Sequence, residues 1–469
     1  MRKTKIICTI GPATNSLAIL SQLAEAGMNV ARLNMSHGDH ASHAAVIANI
    51  RQFNSTCSQP IAILLDTQGP EIRTGAIKQE LNLVEGDIIS VAARSDANVE
   101  ESSIHINYED LIHDVHVGDK ITVDNGLINL EVLEKNQQIM KCRIIDGGLL
   151  KSKCHVNLPG IRVNLPAITE KDKKDIAFAR TQQVDFIALS FVRRADDIAQ
   201  LRQLLGDDVA NIKVIAKIED QEGLTNLADI ITASDGIMVA RGDLGVEIPM
   251  EVLPRVQRRI IRQCAIHGKR VIVATHMLES MINNPMPTRA EVTDVANAIY
   301  EEADAIMLSG ETTIGKHPVR CVETLDRIAR SIEKSRGLLF SEELICDNDK
   351  QQVSVAAVRL AEAIGAKGII VPTKTGRMAN YVTNCHPQTP VICAFSFDGH
   401  THRQLVLNRN IHSYRIDFNE NPEKLLAAAA SILLQRGDFS REDKMVVISD
   451  TLGHTNVDAI QIRTLDSLA

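Results

Sequence analysis

Short apolar runs alternate with helix-patterned segments along most of the chain. Strand-like runs fall at 5–11, 29–34, 61–66, 186–191, 213–219, 236–241, 271–276 and 305–310. Between them, apolar positions recur at helical spacing over 15–27, 41–54, 170–183, 195–206, 222–233, 250–267 and 291–302, and once more at 318–335. Near-continuous apolar strands alternating with helices predict a parallel sheet covered by helices. Eight such units predict a closed (β/α)8 barrel of the TIM type. Helix punctuation agrees: Thr288 stands three residues before Glu291, a capping-box spacing, and Gly268 stands where the 250–267 helix should stop.

The rhythm breaks between Glu71 and about Pro166, where short β-rich segments such as DIISVAA, DKITVD and INLEVLE replace the helices. This stretch predicts a β-barrel domain, residues 70–166, inserted after the third strand, with Pro70 and the NLPG and NLPA segments as hinges. An insertion there lies over the C-terminal mouth of the barrel and can act as a lid. The catalytic barrel is then 1–69 and 167–340. An acidic linker, EELICDNDK, leads into a smaller α/β domain, 341–469, of effector or regulatory type.

Bulk properties narrow the classes. At 469 residues the chain exceeds one core's capacity, as the three domains require. No run of about eighteen apolar residues exists, so no membrane span is expected. The apolar run at the N-terminus is too short for a signal-peptide core. Lys and Arg number 51 against 59 Asp and Glu, a net charge of −8. With no long basic run and few aromatic side chains, nucleic acid is not an expected partner. Nine scattered cysteines without a CxxC pair fit reduced thiols in a cytoplasm.

The polar residues gather at the C-terminal ends of the strands, which in a barrel converge on one mouth. Strand two ends in Arg32, Asn34 and Ser36; strand three in Asp66 and Thr67, with Arg73 following; strand four in Ser190. Strand five supplies Lys217 and Glu219, two apart and so on one face. Strand six supplies Gly242 and Asp243, strand seven Thr275, and strand eight Ser309 and Glu311. Glu219 and Asp243 are hard oxygen donors suited, with waters and substrate oxygens, to Mg2+ or Mn2+. Arg32 and Lys217 beside them point to a phosphorylated ligand. Asn34, Ser36, Asp66 and the Thr67 carbonyl form a set of oxygens suited to a monovalent cation. The N–H groups of the ARGDLG turn can hold a carboxylate. No Walker A loop, Rossmann fingerprint or zinc cluster is present, so the predicted chemistry is phosphoryl transfer by positioning and charge stabilisation.

These residues sit in segments that resemble one family nearly end to end. CTIGPAT, ARLNMSHG, LLDTQGPEIRTG, AKIEDQEG, GIMVARGDLGVEIP, PTRAEVTDVANAI and LSGETTIGKHP are similar, in form and order, to the motifs of pyruvate kinases. The resemblance implies a cytoplasmic glycolytic enzyme, usually a homotetramer, that converts phosphoenolpyruvate and ADP to pyruvate and ATP. It implies that Lys217 stabilises the phosphoryl group in flight, with Arg32 and Arg73 contacting it. Glu219 and Asp243 would hold Mg2+, and Asn34, Ser36, Asp66 and Thr67 would hold K+. Ser190, Gly242, Asp243 and Thr275 would bind substrate. Thr275 would protonate the enolate through water and Ser309. Thr9, Pro12, Asn34, His37, Arg73 and Lys171 would border the nucleotide. Glu71, where K+-independent members carry Lys, implies K+ dependence. Departures from the family pattern are Gln68, Asn125, His276 and Met378. In the C-terminal domain, Thr373, Lys374, Thr375, Gly376 and Arg377 match a phosphate-binding effector loop, while SDTLGHTN shortens the second effector loop. A phosphorylated sugar, a nucleotide or no effector are the open alternatives. Two rival readings stand beside the kinase: a Mg2+-dependent enolate lyase or aldolase on the same barrel, and a metabolite-sensing protein without catalysis.

Overall fold

The computed structural model describes residues 1–77, 79–93, 103–161, 163–450 and 458–468. Eight parallel strands close on themselves: β1 (Lys5–Thr9), β2 (Val30–Asn34), β3 (Ala62–Asp66), β4 (Phe186–Leu189), β5 (Lys213–Ile218), β6 (Gly236–Ala240), β7 (Arg270–Ala274) and β8 (Ala305–Leu308). Each pairs with its sequence neighbours, and β8 returns to β1 with Lys5 opposite Ala305. Only Asn34 and Lys213, both at strand ends, escape full burial. Burial on both faces is why these segments read as unbroken apolar runs. The interior is filled by Ile7, Leu64, Phe186, Ile215, Met238, Ile272 and Met307. Two helix boundaries fall where the sequence puts them. Thr288 and Glu291 form the capping box that opens Arg289–Tyr300, and the helix Leu253–Ile266 ends just before Gly268, whose φ is +61°. The segment expected as one helix over 222–233 is two, Gln221–Thr225 and Leu227–Ala233, broken at Asn226.

The insertion is a six-stranded sheet in the order Val156–Asn157, Lys120–Val123, Ile128–Lys135, Ile139–Asp146, Ile88–Ala93, Ser103–Ile106. Single bridges from Thr74 to Ile106 and from Arg73 to His155 link its two edges through the hinge strand. The expected barrel-like closure therefore rests on two isolated bridges. A small pair, Leu81–Leu83 with Gly148–Leu150, flanks the sheet. Its core, around Tyr108, Ile121, Leu130 and Met140, is separate from that of the barrel.

The C-terminal domain is a five-stranded sheet with helices. Four strands are parallel, and Asp458–Thr464 adds antiparallel to Lys444–Asp450. That last strand was not expected from the sequence. The shortened effector loop falls mostly outside the described residues, at 451–456. This domain covers the end of the barrel opposite the mouth: Val406 and Leu407 join the barrel's interior cluster. Asp185, fully buried at the foot of β4, accepts from Ile63 N–H at 2.8 Å and from Arg403 Nε of the C-terminal domain at 2.8 Å. All nine cysteines are free. Among the described residues no helix is long and apolar enough to cross a membrane.

Removing one partner of a buried ion pair costs about 3 kcal/mol or more, because the other charge is stranded. Asp185→Ala is therefore expected to lower the first thermal unfolding transition measured by calorimetry. An unchanged transition would show that this contact does not tie the domains together.

Candidate active site

The barrel register brings the predicted strand ends level with one another. Thr9 stands opposite Arg32, and Asn34 opposite Asp66, with Asp66 in turn opposite Ala188. Buried carboxylates and cations at that level must compensate each other, and they do. The Asp66 side chain, fully buried, accepts from Arg32 Nε at 2.6 Å through one oxygen and lies 3.1 Å from Lys217 Nζ through the other. Lys217 Nζ also lies 3.1 Å from Glu219 and donates to Ser190 Oγ at 2.6 Å. Ser190 Oγ donates onward to the Thr67 carbonyl at 2.7 Å. Burial pushes the Asp66 carboxyl up, but Arg32 and Lys217 outweigh it and hold it below the usual range. Burial likewise pushes Lys217 down, and Asp66 and Glu219 reverse this, so its ammonium stays charged.

Glu219 is the exception in this set. Burial, reinforced by the neighbouring Asp243 carboxylate, raises it to about 7 despite Lys217. Burial also raises Asp243, whose carboxyl is within hydrogen-bonding reach of Glu219. Two carboxylates following adjacent strands, each reluctant to ionise alone, could together hold a divalent cation. Among the described residues no group of three or more His, Cys, Asp and Glu could hold a metal. An ion on Glu219 and Asp243 would thus take its remaining ligands from water and substrate. Phe191 N–H donates to the second Glu219 oxygen at 2.6 Å and fixes its orientation.

The helix Arg241–Glu247 starts where the ARGDLG turn predicted, and puts Asp243 in its first turn. Gly242 N–H is engaged by Thr275 Oγ at 2.8 Å. Thr275 and His276 both hold positive φ, +68° and +56°, a backbone cost of about 1–3 kcal/mol each that concentrates at functional turns. Arg241 secures that turn: it donates to the Thr275 carbonyl and pairs with Asp294 at 2.7 Å. The Ser309 hydroxyl is buried without a protein partner. His276 turns outward towards Glu279, 3.6 Å away.

A cleft of about 450 Å3 lies between the mouth and the inserted domain, bordered by Arg32, Asn34, Ser36, His37, Thr67, Arg73, Ser190, Lys217, Glu219 and Asp243. Other predicted residues lie away from it. Thr9 is buried beneath Arg32, accepting from its Nη1 at 2.9 Å and donating to the Leu308 carbonyl. Pro12 lies on an exposed turn. Lys171 reaches the Met35 carbonyl at 2.5 Å and Asp175 at 2.9 Å. Within the cleft itself, Arg73 is held by Glu71 at 2.6 Å, and Gln68 donates to the same Glu71 oxygen. Burial raises Glu71, but the hydrogen bonds from Arg73 and Gln68 outweigh that and keep it below the usual carboxyl range. The loop expected to bind a phosphorylated effector borders a separate cavity of about 670 Å3, in which Thr373, Lys374, Thr375 and Arg377 face Phe397 and Phe418. Gly376, at φ +77°, caps the helix Arg377–Asn384.

Sequence reasoning missed part of the cleft's lining. His155, Lys153, Asp124 and Phe191 also border the cleft. His155 Nδ1 is 3.9 Å from Asp243, and its ring leans on Phe191 with centroids 6.4 Å apart. Burial pushes the His155 imidazole below its ordinary value. The only signal available was its position two residues before the Asn of NLPG.

Comparison with known proteins carries the same pattern. Residues 1–322 match the family model described as the pyruvate kinase barrel domain, and 351–462 match the pyruvate kinase alpha/beta domain. A pyruvate kinase of Geobacillus stearothermophilus is 44% identical across 98% of this chain and 80% of its own length. One from Bacillus licheniformis is 43% identical across 97% and 78%, and one from Staphylococcus epidermidis is 42% identical across 95% and 77%. With both domains matched and a barrel mouth that brings Arg32, Lys217, Glu219 and Asp243 to one cleft, the chain belongs to the pyruvate kinase family.

Proposed function

We propose that the protein transfers the phosphoryl group of phosphoenolpyruvate to ADP, giving pyruvate and ATP. One observation carries this reading. The buried Lys217 ammonium, bracketed by Asp66, Glu219 and Ser190, stands beside a carboxylate pair at the mouth of a barrel of this family. Phosphoryl transfer needs little covalent help from protein, only alignment and positive charge placed against the negative charge of the equatorial oxygens. Arg32 and Lys217 supply that charge, and their fixed ion pairs mean that little reorganisation is needed. A divalent ion held by Glu219 and Asp243 would neutralise phosphoryl and carboxylate oxygens and clamp the substrate. Asn34, Ser36, Asp66 and Thr67 are the proposed K+ ligands. Asp66 is already compensated by two cations, so a monovalent ion suits the neutral oxygens around it better than a divalent one.

As the bond between phosphorus and the enol oxygen breaks and the ADP oxygen bonds to phosphorus, the organic product is an enolate. Its methylene carbon needs one proton. Thr275, on its strained turn, and the unpartnered Ser309 hydroxyl are suited to pass that proton through water. Gly242 N–H, free to exchange Thr275 for a ligand, and Asp243 N–H suit the substrate carboxylate. Asn34, His37 and Arg73 are the proposed nucleotide contacts within the cleft, with Thr9, Pro12 and Lys171 at its margin. The cavity at Thr373–Arg377 suits a phosphorylated effector, and the enzyme is proposed to work as a homotetramer.

ATP formation from phosphoenolpyruvate and ADP, followed by a coupled assay with Mg2+ and K+, is the direct test. Turnover should fall severalfold or more when Na+ or Tris replaces K+. Aldol cleavage without ATP would favour the lyase instead. Lys217→Met should cut turnover by roughly 10³-fold, on the scale of losing one preorganised charge donor, while calorimetric Mg2+ binding persists; unchanged turnover would remove Lys217 from the chemistry. Mg2+ must displace the proton that raised Glu219 retains below about pH 7. Affinity for the free protein should therefore rise with pH up to about 7 and level off above it. A pH-independent affinity from pH 5 to 8 would contradict the carboxylate-pair site.

A further inference from the structure

The hinge strand of the lid meets the helix Arg241–Glu247 at two points. His155 and Asn157 are two apart on a strand and so share a face. Asp243 and Glu247 are four apart on a helix and so share a face. The two spacings match. His155 Nδ1 lies 3.9 Å from Asp243, and Asn157 Nδ2 donates to Glu247 Oε1 at 3.1 Å. Asn157 is 4% exposed, its Oδ1 has no hydrogen-bond partner among the described residues, and the amide faces the His155 ring. The line therefore runs from Asp243 through His155 and Asn157 to Glu247, closing on the helix where it began.

The backbone that carries this face is pinned from both sides. Val156 N–H donates to the Ile72 carbonyl at 2.8 Å, and Asp124 N–H donates to the His155 carbonyl at 3.0 Å. Arg73 and His155 bridge. Phe191 supports the His155 ring and, through its N–H, orients Glu219. His155 and Phe191 border both the catalytic cleft and a neighbouring cavity of about 310 Å3. The lid thus touches both proposed metal-binding carboxylates, Asp243 directly and Glu219 by way of Phe191. A lid shift of about 1 Å would convert the His155–Asp243 approach into a hydrogen bond.

We propose that His155 and Asn157 are positioning residues, a two-point clamp from the lid that holds the Asp243 carboxylate in its metal-binding orientation, so that lid and metal site act as one unit. This rests on the metal-site reading given above. Partners that orient metal ligands are worth about 10- to 100-fold in metal affinity.

The test reads binding itself, by electron paramagnetic resonance titration of Mn2+ into the full-length protein, alongside turnover. Wild type should bind Mn2+, and Glu219→Gln should abolish binding. His155→Ala and Asn157→Ala should each weaken it by about 10- to 100-fold, with kcat reduced and KM for phosphoenolpyruvate changed less than kcat. His155→Gln, which keeps a side-chain N–H donor, should regain most of the affinity on protein whose melting matches wild type. Wild-type affinity in both alanine variants, or no recovery in His155→Gln, would overturn the clamp while leaving the metal site standing. A wild-type protein that binds no Mn2+, or a Glu219→Gln variant that still does, would overturn the metal site and the clamp with it.

Discussion

The Lys217 ammonium sits almost wholly out of water, and the mouth of the barrel is arranged around that constraint. A buried cation must be paired on several sides or lose its proton. Asp66 and Glu219 pair it, and Ser190 accepts from it. Asp66, burdened with compensating Lys217, is itself shared with Arg32, and Arg32 is braced by Thr9. Apart from Lys217 and Glu219, which share the end of β5, these groups come from different strand ends, so the charge network can form only when the barrel closes in register. The closed barrel is therefore a precondition of the site as well as its scaffold.

That arrangement divides labour among the carboxylates. Asp66 is fully compensated and stays ionised. Glu219 and Asp243 are under-compensated, which is the condition that invites an additional cation. Neutralising all three would leave nothing to draw in a metal; leaving all three bare would cost more than burial allows. The positive φ at Thr275 and its engagement with Gly242 N–H give the opposite wall a second polarised element, held by Arg241 from behind.

Much of this was legible in the chain. The barrel strands announced themselves because both faces are buried, leaving unbroken apolar runs such as those of β6 and β7. Lys217 and Glu219 stood out because a period of two puts both charges on the same side of an otherwise apolar strand. What was hidden depends on tertiary approach. His155 reaches Asp243 only because the inserted sheet folds back over the mouth, and nothing at positions 155 and 243 signals the other. The break at Asn226 escaped notice because both short helices bury the same apolar stripe. The antiparallel strand Asp458–Thr464 lies beyond a run of polar residues and carries only a weak alternation of its own. Thr9 shows the reverse limit: its place in a motif was plain, but its burial under Arg32 follows from pairing geometry.

The central claim is that the carboxylate pair and the Lys217 ammonium face one phosphorylated ligand in a common pocket. The most direct measurement is the relaxation of the 31P resonance of L-phospholactate, a non-reacting analogue of phosphoenolpyruvate, with Mn2+ bound to the protein. The account predicts strong paramagnetic enhancement that is lost in Glu219→Gln. An analogue that binds with its phosphorus resonance unaffected by bound Mn2+ would contradict it.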